Sequence, residues 1–221
     1  MAEEKIRRTF TQPGPVISKA TIQLHTRIAV DLFHGQRGFT WFAANLNKLW
    51  DLSLQDDPYA DHRLILIEEQ LPLLKQFLGH KVEEIGSLLG ALSDVGIRPV
   101  SHQSVRPVNV PLACRATQAA AAVLQLAVLD QLAQRALLAR HFGLLTDTDW
   151  QRCVREPVSA MRDLFALSEY QVSGACRNDF AGNNARAQAA RERLGEVPPE
   201  ILMGLKLPTM GPMRTKGAPG Y

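Results

Sequence analysis

The sequence predicts a mainly helical protein, with one strand ahead of two helices, a helical bundle after them, and a second short extended segment. Residues 19–25 alternate between polar and apolar side chains, which is the two-residue period of a strand with one buried face. In several later stretches apolar residues recur at intervals of three and four, which is the period of helices. Pro99, Pro107 and Pro111 exclude a helix from the segment between two of these stretches.

The predicted strand has an apolar face and a polar face. Ala20, Ile22 and Leu24 form the face expected to be buried. The polar face offers a cation, a hydroxyl, an amide and an imidazole, which can hydrogen-bond the edges of bases, and no carboxylate that would repel phosphate. We interpret this face as a candidate base-contacting surface for double-stranded DNA, although an ordinary solvated edge strand has the same pattern. Its members are Lys19, Thr21, Gln23 and His25.

Two short helices are predicted after the strand. Thr26 is a suitable cap for a first helix that ends at Gly35, and Thr40 for a second helix that runs to about residue 54. This is the order of a ribbon-helix-helix domain, in which strands of two protomers pair and enter the major groove. Because a lone strand cannot satisfy its own backbone groups, residues 19–54 are predicted to be a DNA-binding and dimerisation region that forms a homodimer.

Arginines on both sides of the strand are candidates for phosphate contacts. Arg27 starts the first helix, and Arg37 lies in the turn before the second. Arg7 and Arg8 belong to residues 1–18, which become rich in proline and glycine and are predicted to be a flexible arm. The backbone amides at the start of the first helix are further candidates.

Residues 55–203 are predicted to form the helical bundle. The longest helical patterns cover 62–93 and 117–142. The second of these is apolar around most of its circumference, which predicts a position in the centre of the core. The remaining expectations are a helix from Thr146 to about residue 167, an irregular stretch at 168–182, a short helix at 184–194 and a disordered basic tail at 204–221.

Two further polar sets are alternative DNA contacts, although a solvated surface explains each of them as well. One lies in the second extended segment over residues 102–109, and the other is the basic face of the helix at 186–193. They are His102, Gln103, Ser104, Arg106 and Asn109 in the first set, and Arg186, Arg191 and Arg193 in the second.

Composition favours a soluble intracellular protein of one or two domains. The chain has 221 residues, 46% of them hydrophobic, and a net charge of +3, which permits nucleic-acid binding without requiring it. Three widely separated cysteines indicate a reducing compartment. The first residues lack the apolar core of a signal peptide, and no run of eighteen apolar residues is present. We therefore expect a cytoplasmic protein that does not bind a membrane.

The sequence offers no motif for catalysis or for cofactor binding. A phosphate-binding glycine loop, the HExxH and GxSxG motifs and spaced metal ligands are all missing. Asp56, Asp57 and Asp61 with His62 are better explained as the start of a helix than as a metal site, since the two adjacent carboxylates would point apart. We therefore predict a non-enzymatic protein without cofactor or metal, because an enzyme acting on nucleic acid would need a metal or a paired base.

Five groups of residues follow one another in an order that is typical of a known family. They are Thr21–Arg27, Leu32–Gly35, Gln55–Asp61 with Ile67–Glu69, Pro107–Leu112 and Leu137–Leu145. With these stretches the chain resembles, over about residues 14–205, a family of proteins encoded on integrating conjugative elements and related plasmids, grouped with the AcaB-like transcriptional regulators.

The resemblance implies a regulator that switches on transfer genes through ribbon-helix-helix binding. It assigns base contacts to the polar face of the predicted strand. The partners expected for such a regulator are double-stranded DNA, a second copy of the chain and RNA polymerase. The alternative is a non-enzymatic structural or adaptor protein of the conjugation apparatus. Such a protein would use the same amphipathic helices for docking and would not bind duplex DNA in a salt-dependent way.

Overall fold

One strand near the N-terminus and one in the middle of the chain accompany a set of helices in the computed structural model, which describes residues 20–97 and 103–212. The predicted mainly helical fold, with an N-terminal strand and a second short extended segment, is confirmed. The elements are β1 (Ala20–Leu24), α1 (Arg27–His34), α2 (Phe39–Leu54), α3 (Pro58–Asp94), β2 (Val108–Leu112), α4 (Thr117–His141), α5 (Asp147–Ala166), α6 (Arg177–Ala181), α7 (Ala185–Leu194) and α8 (Pro199–Leu202).

The two strands pair with each other as an antiparallel ribbon. Ile22 lies opposite Val110, and Gln23 lies opposite Asn109. The expectation that β1 has no partner in its own chain is therefore wrong, because the second extended segment returns to it as β2. Since β2 supplies a hydrogen-bonding partner for the backbone of β1, this fold does not need a second chain for that purpose.

Local capping signals explain where the helices begin. Thr26 caps α1 as predicted, and its hydroxyl accepts a hydrogen bond from the Ala29 amide at 3.2 Å. The predicted cap of α2 at Thr40 is wrong, since α2 begins at Phe39 with Gly38 as its N-terminal cap. A Cβ atom at Gly38 would lie 2.5 Å from the carbonyl oxygen of Leu32, so the close turn over the end of α1 requires glycine at this position.

The long helix α3 begins earlier than its apolar pattern predicts. Asp57 caps it and accepts hydrogen bonds from the amides of Tyr59 at 2.9 Å and Ala60 at 3.3 Å. Pro58 occupies the first turn, where its missing N–H costs nothing. The acidic stretch is therefore a helix start, as interpreted from the sequence, although the start lies at Pro58 rather than near residue 62.

The core surrounds α4, as its apolar circumference predicts. This helix packs against α1, α2, α3 and α5, and both Leu126 and Leu129 are fully buried. Aromatic side chains fill the space between α2 and α5, where the Phe42 and Phe165 rings lie 4.9 Å apart. Among the described helices, α4 alone is long and apolar enough to cross a membrane, but half of its most apolar window is buried in the bundle. Core helices of soluble proteins have the same properties.

The C-terminal region forms a smaller cluster against the start of α3. α6 occupies part of the stretch that was predicted to be irregular. The Arg177 guanidinium forms ion pairs with Asp56 and with Asp61, the latter at 2.6 Å, and these bonds join α6 to the start of α3. Residues 204–212 belong to the predicted disordered tail, yet the amide of Thr209 donates to Glu68 at 2.8 Å and holds this part on α3. Residues 213–221 lie outside the described residues.

Candidate nucleic-acid interface

The β1–β2 ribbon has one buried face and one outward face. Ile22, Leu24 and Val110 are buried against the helices. Thr21 and Gln23 are exposed on the opposite face, as predicted from the alternation. Their cross-strand neighbours are the exposed residues Pro111 and Asn109. The outward face defined by Thr21, Gln23, Asn109 and Pro111 therefore carries a hydroxyl and two amides and no carboxylate.

The fold thus brings together parts of two polar sets that are far apart in the sequence. Gln23 and Asn109 are opposite one another, and side chains in such a pair have Cβ atoms about 4.5–5.5 Å apart. Both are carboxamides, the group that pairs with the N6 and N7 edge of adenine. The sequence shows each amide separately, but their proximity depends on the register of the ribbon.

The two edges of the ribbon differ in their capacity to accept another strand. Pro111 has no N–H, so its pair with Thr21 is expected to be of the non-hydrogen-bonded kind, as is the Gln23–Asn109 pair two residues along. The backbone groups of Thr21 and Gln23 then point to the outer edge of β1, along which no strand lies in the described parts of the chain. The outer edge of β2 carries Pro111 and is a poor template for pairing.

His25 lies where β1 meets α1 and differs from the other predicted base contacts. Its side chain is half-buried, and Nδ1 is buried with no hydrogen-bond partner among residues 20–97 and 103–212. The ring can therefore contribute to the outward face through Nε2 only. Lys19, the fourth predicted base contact, lies outside the described residues, as do Arg7 and Arg8.

A buried carboxylate on α4 fixes the junction of β1 and α1. Asp130 is 2% exposed and accepts hydrogen bonds from the amides of His25 at 2.8 Å and Thr26 at 2.9 Å. It also accepts from the Thr26 hydroxyl at 2.6 Å and from the Gln134 amide nitrogen at 3.1 Å. Sequence reasoning missed Asp130, although a single carboxylate in an otherwise apolar stretch of helix is a signal for a buried acid with polar partners.

These bonds also limit what the start of α1 can offer to a phosphate. The amides of His25 and Thr26 donate to Asp130, and the Ala29 amide donates to the Thr26 hydroxyl. Asp130 adds a negative charge to the same junction. Of the groups predicted here as phosphate contacts, the Arg27 side chain is consequently more available to a ligand than the amides of His25, Thr26 and Ala29.

The described arginines around the ribbon are exposed to different extents. Arg27 is 92% exposed and lies 3.5 Å from Asp31. Arg37 pairs with Glu169 at 2.9 Å and lies over the Trp41 ring. Exposed pairs of this kind contribute at most about 1 kcal/mol, so both arginines can exchange a carboxylate for a phosphate.

Arg106 adds a cation next to the ribbon. It is exposed, it lies two residues before β2, and the described residues place no carboxylate within salt-bridge distance of it. Because Val108 pairs with Leu24, Arg106 is expected beside the junction of β1 and α1.

Two of the three arginines on the basic face predicted at 186–193 make contacts within the C-terminal region of the same chain. Arg193 donates to the carbonyl oxygens of Val172 at 2.6 Å and Ser173 at 2.8 Å. Arg191 lies over the Phe180 ring and donates to the Asn183 side chain. Among the three arginines of this face, Arg186 is thus the one most available to an external partner.

Comparison with known proteins decides the family. The model of the family described as "Transcriptional regulator AcaB" matches residues 12–214. The chain belongs to this family. The resemblance found in the sequence is thereby confirmed, and so is the expectation of a non-enzymatic regulator, because this AcaB family is one of transcriptional regulators.

A solved structure shows the same fold. The crystal structure of selenomethionine-containing AcaB from uropathogenic E. coli superposes with a TM-score of 0.58 at 14% sequence identity. The match covers 85% of this chain and 95% of the AcaB chain. No curated protein sequence matches the chain at a significant level. The AcaB fold is therefore maintained although few residues are shared.

Proposed function

We propose that this AcaB family member is a sequence-specific double-stranded DNA-binding regulator that contacts bases with the outward face of β1. The observation that supports this proposal most directly is the exposed hydroxyl and amide pattern of Thr21 and Gln23 on a ribbon whose other face is buried. A β-ribbon fits the major groove, where every base pair presents a distinct pattern of donors and acceptors. The family name, which denotes a transcriptional regulator, agrees with it.

Each side chain of this face has a defined task in the proposal. Gln23 pairs with an adenine through two hydrogen bonds, and Lys19 pairs with a guanine. Thr21 and His25 each add a single contact. The phosphates are bound by arginines, which fix the register of the protein on the duplex and do not select sequence. These arginines are Arg7, Arg8, Arg27 and Arg37, with Arg106 added from the structure.

The proposed active form is a homodimer joined along the outer edge of β1. Two copies of β1 related by a two-fold axis would pair antiparallel there, because the backbone groups of Thr21 and Gln23 point to that edge. The proline on the other side of the ribbon directs pairing to β1 rather than to β2. Such a dimer has the central strand pair of a ribbon-helix-helix protein, flanked by one β2 on each side.

The proposed role is activation of transfer genes of an integrative conjugative element or plasmid, in the cytoplasm. The resemblance to proteins encoded on such elements supports this role. In this proposal the activator contacts RNA polymerase as well as DNA, and its helices, which do not enter the duplex, would provide the surface for the polymerase.

Titration of the purified protein against DNA tests the proposal. Fragments of the host genome that the protein retains supply a specific duplex, and a scrambled duplex serves as its control. Gln23→Ala is expected to lose about 1–3 kcal/mol of discrimination between the two. Arg37→Ala is expected to weaken binding to both and to reduce the salt slope by about one. Gln76→Ala, on an exposed part of α3, is the matched control.

Two results would contradict the proposal. Equal losses on both duplexes for Gln23→Ala would show that this side chain does not contact bases. Absence of salt-dependent duplex binding by the unmodified protein would favour the structural or adaptor role in the conjugation apparatus.

A further inference from the structure

A long groove separates α1 from α5. Two adjoining cavities form it, one of about 340 Å³ beside Trp150 and Val154 and one of about 420 Å³ beside the turn between α1 and α2. Asp31 and Arg162 line both cavities, so the two are continuous. The residues of α5 that line this α1–α5 groove run from 150 to 166, which corresponds to about 24 Å of helix.

The half of the groove beside Trp150 has an apolar floor. Ile28 of α1 and the α5 residues Trp150, Val154 and Val158 line it, and of these only Val154 is buried while the other three are partly exposed. Ala133 and Ala136 of α4 are buried in the same apolar cluster. The other half, beside the turn between α1 and α2, is lined mainly by glycines and polar residues. The apolar surface of the groove therefore lies in the half beside Trp150.

The rim of its apolar half is positively charged. Arg155 and Arg162 line this half, and the described residues place no carboxylate within salt-bridge distance of either guanidinium. The negative charge of Asp31 is opposed by Arg27 at 3.5 Å. In addition, the indole N–H of Trp150 is buried and finds no acceptor in the part of the chain that the structure describes. Donors and cations thus outnumber acceptors along this half of the groove.

We propose that the α1–α5 groove is a docking site for an acidic amphipathic helix of a partner protein. Four turns of helix match its length, apolar side chains at intervals of three and four would cover the Ile28 and Val158 floor, and carboxylates would face Arg155 and Arg162. Docking itself does not depend on DNA binding. Because α1 also holds the end of β1, a partner bound here would stand beside any duplex that the ribbon contacts.

The probe for this proposal is a fluorescent synthetic peptide of about 16 residues, helical by design, with leucines on one face and glutamates on the other. Fluorescence anisotropy against the full chain is expected to show saturable binding. A matched peptide with lysine in place of every glutamate, and a second with the leucines scrambled, are both expected to bind at least about tenfold more weakly.

Protein variants locate the site. The double variant Arg155→Glu with Arg162→Glu is expected to bind the acidic peptide at least about tenfold more weakly, because two attractive charge pairs become repulsive. Arg152→Glu lies on the same helix but does not line the groove, and it is expected to bind like the unmodified chain. Thermal unfolding by circular dichroism confirms that each variant is folded.

Three outcomes would overturn the proposal. The first is absence of saturable binding of the acidic peptide. The second is equal binding of the acidic and lysine peptides, or an equal affinity in the double variant. The third is a concentration-dependent self-association that the double variant abolishes in the absence of peptide, which would identify the occupant as a second copy of the chain.

Discussion

Asp130 is the residue through which the helical core determines the position of the proposed DNA-binding strand. Its carboxylate accepts bonds from two backbone amides and one hydroxyl at the junction of β1 and α1, all between 2.6 and 2.9 Å. Thr26, which supplies two of these donors, is 6% exposed, so water cannot replace the lost acceptor in an Asp130→Ala variant. Leaving a buried donor without a partner costs about 1–3 kcal/mol, and more when the lost acceptor is charged.

The expected loss for Asp130→Ala is therefore about 3–5 kcal/mol in the free energy of unfolding, with the individual bonds not strictly additive. Asp130→Asn retains one acceptor oxygen but turns an NH₂ group toward N–H donors. Its decrease in the free energy of unfolding should therefore be smaller than that of the alanine variant. Urea denaturation followed by far-UV circular dichroism measures both.

Asp31→Ala is the control, because this carboxylate is on α1 and its side chain is 64% exposed. Exposed pairs contribute at most about 1 kcal/mol, so the control should unfold at nearly the same urea concentration as the unmodified protein. An Asp130→Ala variant that loses no more stability than Asp31→Ala would refute the reasoning, since the three bonds would then contribute nothing net.

The remaining predictions concern the strand edge, a histidine and a buried ion pair. Thr21→Pro removes an outward N–H of β1 and should make the protein monomeric, whereas Thr21→Val should leave the dimer intact, as measured by analytical ultracentrifugation. A dimeric proline variant would exclude pairing along β1. Burial, followed by the charge of Arg63, lowers the pKa of His62 below 6.5. The unfolded chain then binds more protons than the folded one, so the free energy of unfolding should fall as the pH drops below about 6.5. His62→Gln should reduce this dependence on pH, as measured by urea titrations at several pH values, and an unchanged dependence would contradict the prediction. Arg177→Met removes the cation that faces the fully buried carboxylate of Asp61 and should cost about 3–5 kcal/mol by urea denaturation, against less than about 1 for the exposed Arg186→Met.

Local signals account for the parts of the fold that the sequence predicts well. The strand alternation, the Thr26 cap and the apolar circumference of α4 are each contained in a short stretch, and the structure has all three. The start of α2 is a local feature too, but there the tight packing of Gly38 against the carbonyl of Leu32 decides the cap, and only the three-dimensional turn reveals it.

Long-range pairing explains the features that the sequence does not predict. Val108 and Val110 alternate as a strand requires, yet nothing in that segment specifies β1 as its partner, since pairing depends on how α3 and α4 bring the two segments together. Asp130 is recognisable as an unusual acid in an apolar helix, but its acceptor role toward Thr26 becomes evident only when α1 is packed on α4. The sequence therefore predicts candidate contacts on β1 and, as an alternative, at Asn109, but it does not predict that the two strands form one surface.

The width of the proposed dimer assigns different tasks to Gln23 and Asn109. Neighbouring strands lie about 4.7–4.9 Å apart, so the four strands of two joined ribbons span about 14 Å between their outer members, more than the width of the major groove of about 12 Å. The two central β1 strands can enter the groove, while each β2 lies over a wall of the groove, where the phosphates run. Asn109→Ala should then weaken binding to specific and scrambled duplexes equally, in contrast to Gln23→Ala. If Asn109→Ala instead affects the specific duplex alone, the ribbon of a single chain must enter the groove, and joining along β1 would be excluded.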